Sequence, residues 1–183
     1  RVPGARRYLL CVGQFAGYKN HETVVRAFAL AFTDHPDIHL ALVQRRGEGE
    51  RALLPIARSL GVANRVHFLT GLAVEELVAL YSGALALCHP SFIEGFGNPP
   101  AEALACGCPV VTSNRSSMPE VSRDAALYAN PDDVAAVAGA LRRVAFEPGL
   151  AEGMIDRGLR RARELTWESF ARANYEIYRE ILD

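Results

Sequence analysis

The sequence predicts an α/β fold, a doubly wound, mostly parallel sheet of about six strands with flanking helices on both faces. Three observations carry this. Short apolar runs alternate with segments of helical period through most of the chain. The runs are continuously apolar, as strands covered on both faces are. The chain has 183 residues, half of them apolar, and one compact domain of that length buries roughly 70% of its unfolded surface without a disulfide or metal staple.

Each element follows from its residues. Tyr8 to Val12 is an apolar run stopped by Gly13, and it reads as the first strand. Val24, Val25, Phe28 and Phe32 share one helical face, and His35-Pro36 ends that helix. Ile38 to Val43 is the second strand. A Gly/Glu/Arg loop from Arg45 to Gly49 leads into a helix ending near Gly61. Val66 to Leu69 is the third strand, Glu75 to Tyr81 a helix, and Ala84 to Cys88 the fourth strand. Pro99 to Cys106 is helical, Pro109 to Thr112 is the fifth strand, and Ala125 to Tyr128 is a brief sixth. Beyond Pro131 only helices follow. Val134, Val137, Leu141 and Val144 form one stripe, a second helix runs from about Leu150 to Leu165, and Trp167, Phe170, Asn174, Ile177 and Ile181 mark a third at near-heptad spacing. No internal repeat, low-complexity tract or internal linker interrupts residues 1–183, which read as a single domain.

Composition excludes several function classes. With 22% charged residues and a formal net charge of −1, the chain is neither disordered nor a basic nucleic-acid binder. No apolar run approaches the roughly 18 residues that a membrane span needs, and no signal peptide opens the chain. Arg1, Arg6 and Arg7, interspersed with Pro3 and Gly4, read as a linker cut from a longer protein. Cys11, Cys88, Cys106 and Cys108 lack the spacing of a zinc or redox site. They read as buried thiols in a reducing compartment. Lys19 is the sole lysine; every other basic residue among the 20 is arginine.

In doubly wound sheets ligands bind beyond the carboxyl ends of the strands. The first strand ends in Gly13-Gln14-Phe15-Ala16-Gly17-Tyr18-Lys19-Asn20, which is neither G-x-G-x-x-G nor G-x-x-x-x-G-K-[ST]. What remains is a glycine-hinged loop with one ammonium beside a helix start that Asn20 can cap, a combination favouring an anion. The plain alternative is a solvated loop lysine.

The fourth strand ends in His89-Pro90-Ser91-Phe92-Ile93-Glu94-Gly95-Phe96-Gly97-Asn98-Pro99-Pro100-Ala101-Glu102. Gly95 and Gly97 allow backbone amides to approach a ligand closely. Asn98 reads as an N-cap and Pro99 as the first helical residue. An amide-rich loop opening into a helix is a seat for a pyrophosphate, and Glu94 and Glu102 bracket it. Two carboxylates around an amide nest suit a ligand with an anionic centre and hydroxyls at either end, such as a nucleotide sugar. The alternative is a helix-start acid plus an exposed loop acid.

Glu94 to Glu102, continued by Ala103-Leu104-Ala105-Cys106-Gly107-Cys108-Pro109-Val110-Val111 and Ser116-Ser117-Met118-Pro119-Glu120-Val121, closely resembles family 4 of the retaining glycosyltransferases. These have the GT-B architecture, two Rossmann-like domains with the active site between them. The resemblance runs from about Tyr8 to the C-terminus and matches the C-terminal, donor-binding half only. It therefore implies that the N-terminal acceptor domain is absent from these residues. The specific signal is the pair of glutamates eight positions apart, with glycines between, after a strand and before an E-A-x-A-x-G-x-P-V-V segment.

The resemblance implies roles. Glu94 matches the glutamate that contacts donor-sugar hydroxyls, and Glu102 the one that accepts from the ribose. The amides of Gly95, Phe96, Gly97 and Asn98 match those holding sugar and diphosphate, and Lys19 the lysine that neutralises the diphosphate. The resemblance thus implies Glu94 and Lys19 as the catalytic pair and Gln14 as a further donor-binding residue. Phe68-Leu69-Thr70-Gly71 matches the segment whose backbone reads the base, through Leu69 and Thr70. The family needs no divalent metal or other cofactor. The donor is a UDP-, GDP- or ADP-sugar and the acceptor a saccharide or lipid-linked saccharide, as in bacterial surface polysaccharide synthesis. The setting implied is cytoplasmic, peripheral at the inner face of the membrane through the N-terminal domain, which is also the expected partner. A non-catalytic nucleotide-sugar-binding module and a GT-B epimerase stay open beside the transferase. The phosphorylase branch does not, because Lys19 is in the wrong place for pyridoxal.

Three positions depart from the family pattern. Gln14 stands where an arginine is usual; a charge-assisted bond contributes about 1.5–3 kcal/mol and a neutral one about 0.5–1.5. Asn98 stands where leucine is common, and Val43-Gln44-Arg45-Arg46-Gly47 lacks the usual glycine pair. Other polar residues read as structural. His89 beside Pro90 reads as a strand-end histidine more than a cleft residue. His21, His35, His39 and His67 have no ligand spacing. Cys106 and Cys108 read as packing residues, Glu120 as ordering its loop, and Asp132-Asp133 as a helix start.

Overall fold

A computed structural model describes residues 2–44 and 48–182. Six strands, β1 (Arg7–Val12), β2 (Ile38–Val43), β3 (Val66–Leu69), β4 (Ala86–His89), β5 (Val110–Ser113) and β6 (Ala126–Ala129), form one sheet in the order β3-β2-β1-β4-β5-β6. Every neighbouring pair is parallel, so the sheet is wholly and not mostly parallel. The helices are α1 (His21–Ala31), α2 (Glu48–Ser59), α3 (Val74–Gly83), α4 (Asn98–Ala105), α5 (Met118–Ser122), α6 (Val134–Phe146), α7 (Leu150–Ala162) and α8 (Trp167–Leu182). The loop expected over 45–49 lies outside the described residues at 45–47, and α2 already begins at Glu48.

Side chains along each strand divide between two cores. Leu9, Cys11, Leu40, Leu42, Ala86 and Cys88 pack on one face with Val24, Phe28 and Phe32 of α1 and Val137, Leu141 and Val144 of α6. Tyr8, Leu10, Ala41, Val43, Leu87 and Val110 pack on the other with Leu80 and Tyr81 of α3 and Ala103 and Leu104 of α4. Both faces are covered, which is why the strands read as unbroken apolar runs. The strand order reverses between β1 and β4. A crevice therefore opens beyond their carboxyl ends, and the loops that line it are Gly13–Asn20 and Pro90–Gly97.

Four details differ from the sequence expectation. Gly97, in the left-handed region at φ 105°, is the N-cap of α4, and Asn98 is its first helical residue. Asn20 precedes α1 in a left-handed conformation and makes no side-chain cap; its amide is used for tertiary ties instead. Cys106 is partly exposed, whereas the other three thiols are buried. An apolar stripe at helical spacing ordinarily packs on a core, but the one on α8 is open: Trp167, Phe170, Ile177 and Ile181 are 55–86% exposed, and no residue of that helix is buried. Asp133 does cap α6, accepting from the Ala136 amide at 2.9 Å. No helix among the described residues is long and apolar enough to cross a membrane.

Candidate functional site

The crevice is assembled from its two loops. Gly13 leaves β1 at φ 148°, close enough to the Lys19 stem that a Cβ there would touch its Cδ and Cε at 3.6 Å. A 3₁₀ turn over Gly17–Lys19 then aims Lys19 across the mouth. The Asn20 side-chain amide donates to Pro90 O at 3.1 Å and Pro131 O at 2.8 Å. Together with the Phe92 amide donating to Tyr18 O at 2.8 Å, it binds the first loop to the second.

The second loop is strapped from below. Ser116 Oγ donates to Glu94 O at 2.7 Å and accepts from the Glu94 amide at 3.1 Å. Ser117 Oγ donates to Phe96 O at 2.8 Å. Gly97 is buried at a close approach, since a Cβ there would lie 2.3 Å from Met118 Cε. Among the described residues the amides of Gly95, Phe96 and Gly97 donate to no protein acceptor. They precede the start of α4, so the loop presents unpaired N–H groups at a helix N-terminus, the arrangement that holds an anion.

Glu94 is the hub. Its Oε1 accepts from Lys19 Nζ at 2.7 Å, from Ser91 Oγ at 2.9 Å and from His89 Nε2 at 3.0 Å. The Lys19 and Glu94 side chains are both largely buried. Burial alone would raise the Glu94 carboxyl, but hydrogen bonds from His89, Lys19 and Ser91 outweigh it and hold the pKa at about 2. Burial lowers the pKa of His89, against the pull of Glu94, and so favours its neutral form. His21, at the start of α1, is lowered to about 4, by burial first and by His89 next.

Glu102 lies apart from this hub, on α4, where its Oε2 accepts from the buried Tyr81 hydroxyl at 2.8 Å. Burial and the Glu102 charge push the Tyr81 phenol up, so it stays a donor. Glu102 also lines an open cleft of about 860 Å³ together with Phe96, Asn98, Trp167 and Phe170.

The sequence-predicted residues therefore fall into four places. Lys19, Glu94 and the glycine-loop amides meet at the mouth between β1 and β4. Glu102 and Asn98 face the cleft beside it. Leu69 ends β3 and Thr70 follows it, with Leu69 O accepting from the Gln44 backbone amide at 3.0 Å and Thr70 exposed. Gln14 does not join Lys19; its Nε2 donates to Glu48 Oε2 at 3.4 Å. The Val43–Gly47 departure lies outside the described residues from Arg45 onward. Sequence reasoning missed Ser91, Tyr81 and the second role of His89. His89 is a buried strand-end residue, and it also contacts the site. Glu120 is exposed on α5. Among the described residues no group of three or more His, Cys, Asp or Glu could hold a metal ion.

The family described as glycosyl transferases group 1 matches residues 1–161. The chain belongs to that family. It is 32% identical over 173 residues to O-antigen chain mannosyltransferase B of Escherichia coli, covering 94% of this chain and 45% of that protein. It is 34% identical over 153 residues to the MMP alpha-(1->4)-mannosyltransferase of Mycolicibacterium hassiacum, covering 80% of this chain and 36% of that protein. Among solved structures it superposes on sucrose-phosphate synthase from Thermosynechococcus elongatus with a TM-score of 0.80 and 30% identity, over 99% of this chain and 47% of that one. WaaG, a glycosyltransferase of lipopolysaccharide biosynthesis, shares the fold at a TM-score of 0.81 and 23% identity, over 96% and 48%. The chain thus spans about half the length, or less, of the curated relatives it matches. The architecture of this group 1 chain is the Rossmann-like C-terminal domain of a GT-B glycosyltransferase.

Proposed function

We propose that this group 1 domain is the donor-binding half of a retaining hexosyltransferase, which moves a hexose from a nucleotide diphosphate sugar to an acceptor hydroxyl in surface polysaccharide synthesis. The observation that carries the reading is the convergence, at one strand-order switch point, of the sole lysine, an ionised glutamate and a row of amides unpaired among the described residues. The relatives named as O-antigen and lipopolysaccharide transferases support the setting.

The chemistry follows from charge. Breaking the bond from the sugar to the diphosphate leaves negative charge on phosphate oxygens, and the groups that stabilise it must already be in place. Lys19 and the amides of Gly95, Phe96 and Gly97 would meet that charge, with the N-terminus of α4 behind them. A divalent metal is not required for this. Glu94 would hold sugar hydroxyls through Oε2, which accepts from no group among the described residues. Glu102 would accept from the ribose, and the end of β3 would meet the base.

This half alone binds donor without transferring it in this reading. Both glutamates act as ligand-holding groups, with His89 and Ser91 serving to hold Glu94, and the acceptor must be positioned by an N-terminal domain. Positioning alone can contribute ~7–11 kcal/mol of the barrier. The test is a transfer assay on the 183-residue chain, beside one on a longer chain carrying the N-terminal domain, with each of the three donor classes. Turnover by the longer chain alone supports the reading, and robust transfer by the domain alone overturns it.

A further inference from the structure

We propose that His89 is a positioning residue whose Nε2–H, with the Ser91 hydroxyl, fixes Oε1 of Glu94 so that Oε2 is presented to the donor sugar. This rests on the donor-binding reading above and adds to it the group that makes Glu94 selective for sugar. Glu94 sits on a loop flanked by glycine, where a carboxylate with three side-chain torsions has no intrinsic orientation. All three of its donors converge on one oxygen.

The three donors are not equivalent. Lys19 carries the charge that a diphosphate attracts. Ser91 is a rotor on the same loop as its acceptor. His89 alone belongs to the sheet, in register with Thr112 of β5, and Thr112 Oγ1 donates to His89 O at 2.8 Å. Its ring is 2% exposed, so it cannot swing away.

The tautomer follows from the partners. A carboxylate oxygen only accepts, so the Nε2 atom 3.0 Å from Glu94 Oε1 must carry the proton. Ser91 Oγ, 3.1 Å from Nε2 and 2.9 Å from Oε1, then donates to the carboxylate and accepts a share of the imidazole proton. Every group in the triangle is satisfied with His89 neutral, and burial favours that state.

The test measures binding of UDP-glucose against UDP, GDP-mannose against GDP, and ADP-glucose against ADP. It then uses the pair that wild type binds most tightly. His89→Phe keeps the buried volume and removes the donor. It should weaken the nucleotide sugar roughly 10-fold, as loss of one charge-assisted hydrogen bond does, and leave the nucleoside diphosphate within about 2-fold. His89→Gln, which can return an amide donor toward Oε1, should recover most of the loss. Equal weakening of both ligands by His89→Phe, or no weakening, would overturn the proposal. Glu94→Gln is measured alongside: if it lowers sugar preference while His89→Phe does not, the donor-binding reading stands and the role of His89 falls. If Glu94→Gln also leaves sugar preference intact, or wild type binds none of the six ligands, the reading and the proposal fall together. Should His89→Phe fail to fold, the imidazole ¹⁵N shifts of the wild-type chain decide. An Nε2–H neutral tautomer near pH 7 is expected, and an Nδ1–H tautomer overturns the assignment.

Discussion

Lys19 Nζ and Glu94 Oε1 are 2.7 Å apart across the mouth between β1 and β4, with only 13% and 10% of their side chains exposed. The ammonium that would meet a diphosphate is thus neutralised by the carboxylate that would hold the sugar. In the proposed reading an entering diphosphate would compete with Glu94 for the same cation, and this competition gives predictions of opposite sign for the two residues.

Lys19→Ala should weaken nucleoside diphosphate binding about 10- to 100-fold, the worth of a charge-assisted hydrogen bond, and leave the bare nucleoside nearly unchanged. Glu94 keeps His89 and Ser91 as donors in this variant, so the loop should stay in place. Calorimetry with both ligands checks this; equal losses for the two would indicate damage to the fold instead.

Glu94→Gln should act the other way on the diphosphate. Removing the carboxylate charge releases Lys19, so nucleoside diphosphate affinity should rise a few-fold while the preference for the nucleotide sugar falls. Competition titrations of the two ligands measure both changes on one sample.

In the proposed reading Glu102, held by Tyr81, would address a different part of the ligand. Glu102→Gln should reduce affinity for a ribonucleotide more than for its 2′,3′-dideoxy analogue, because the carboxylate is assigned to the ribose hydroxyls. Tyr81→Phe removes the donor at 2.8 Å that orients it. It should show the same discrimination in weaker form. Identical losses for ribo- and dideoxynucleotide would remove Glu102 from the ribose.

His21 gives the fold a pH dependence. Its folded pKa is lowered to about 4, whereas the unfolded ring titrates near the model-peptide value of about 6.5. Between those values the unfolded ring binds more proton, so the His21 contribution to stability falls as pH drops through about 6.5 and levels off below about 4. The shift corresponds to roughly 3 kcal/mol across the window. Denaturant midpoints from pH 7.5 to 4.5 measure the slope, and His21→Gln should reduce it, while His39, His67 and His89, all lowered first by burial, keep a remainder of the same sign.

The strands were legible because burial on both faces leaves an unbroken apolar run; β2 and β3 match their predicted bounds to the residue. The start of α4 was misread for a local reason. Asn is the better cap by propensity, but the chain needs a left-handed turn against Met118, and only Gly97 fits there. The five-residue α5 is too short to show a period. The stripe on α8 reported amphipathicity correctly, but a period cannot say whether anything covers the face. Residue type and order pick out Lys19, Glu94, Glu102 and the glycine loop as candidates, and the structure brings Lys19 to Glu94 while Glu102 pairs with Tyr81. The grip of His89 on Glu94 was not legible, because it depends on how a loop with two glycines and a proline turns back toward its own strand.

In the proposed reading residues 1–183 would by themselves form a nucleotide-diphosphate site. Titration calorimetry of the chain with UDP, GDP and ADP, each with and without EDTA, tests it most directly. The account predicts that one of the three binds measurably, with the same affinity in EDTA. Absence of binding by all three, or binding abolished by EDTA, would contradict it.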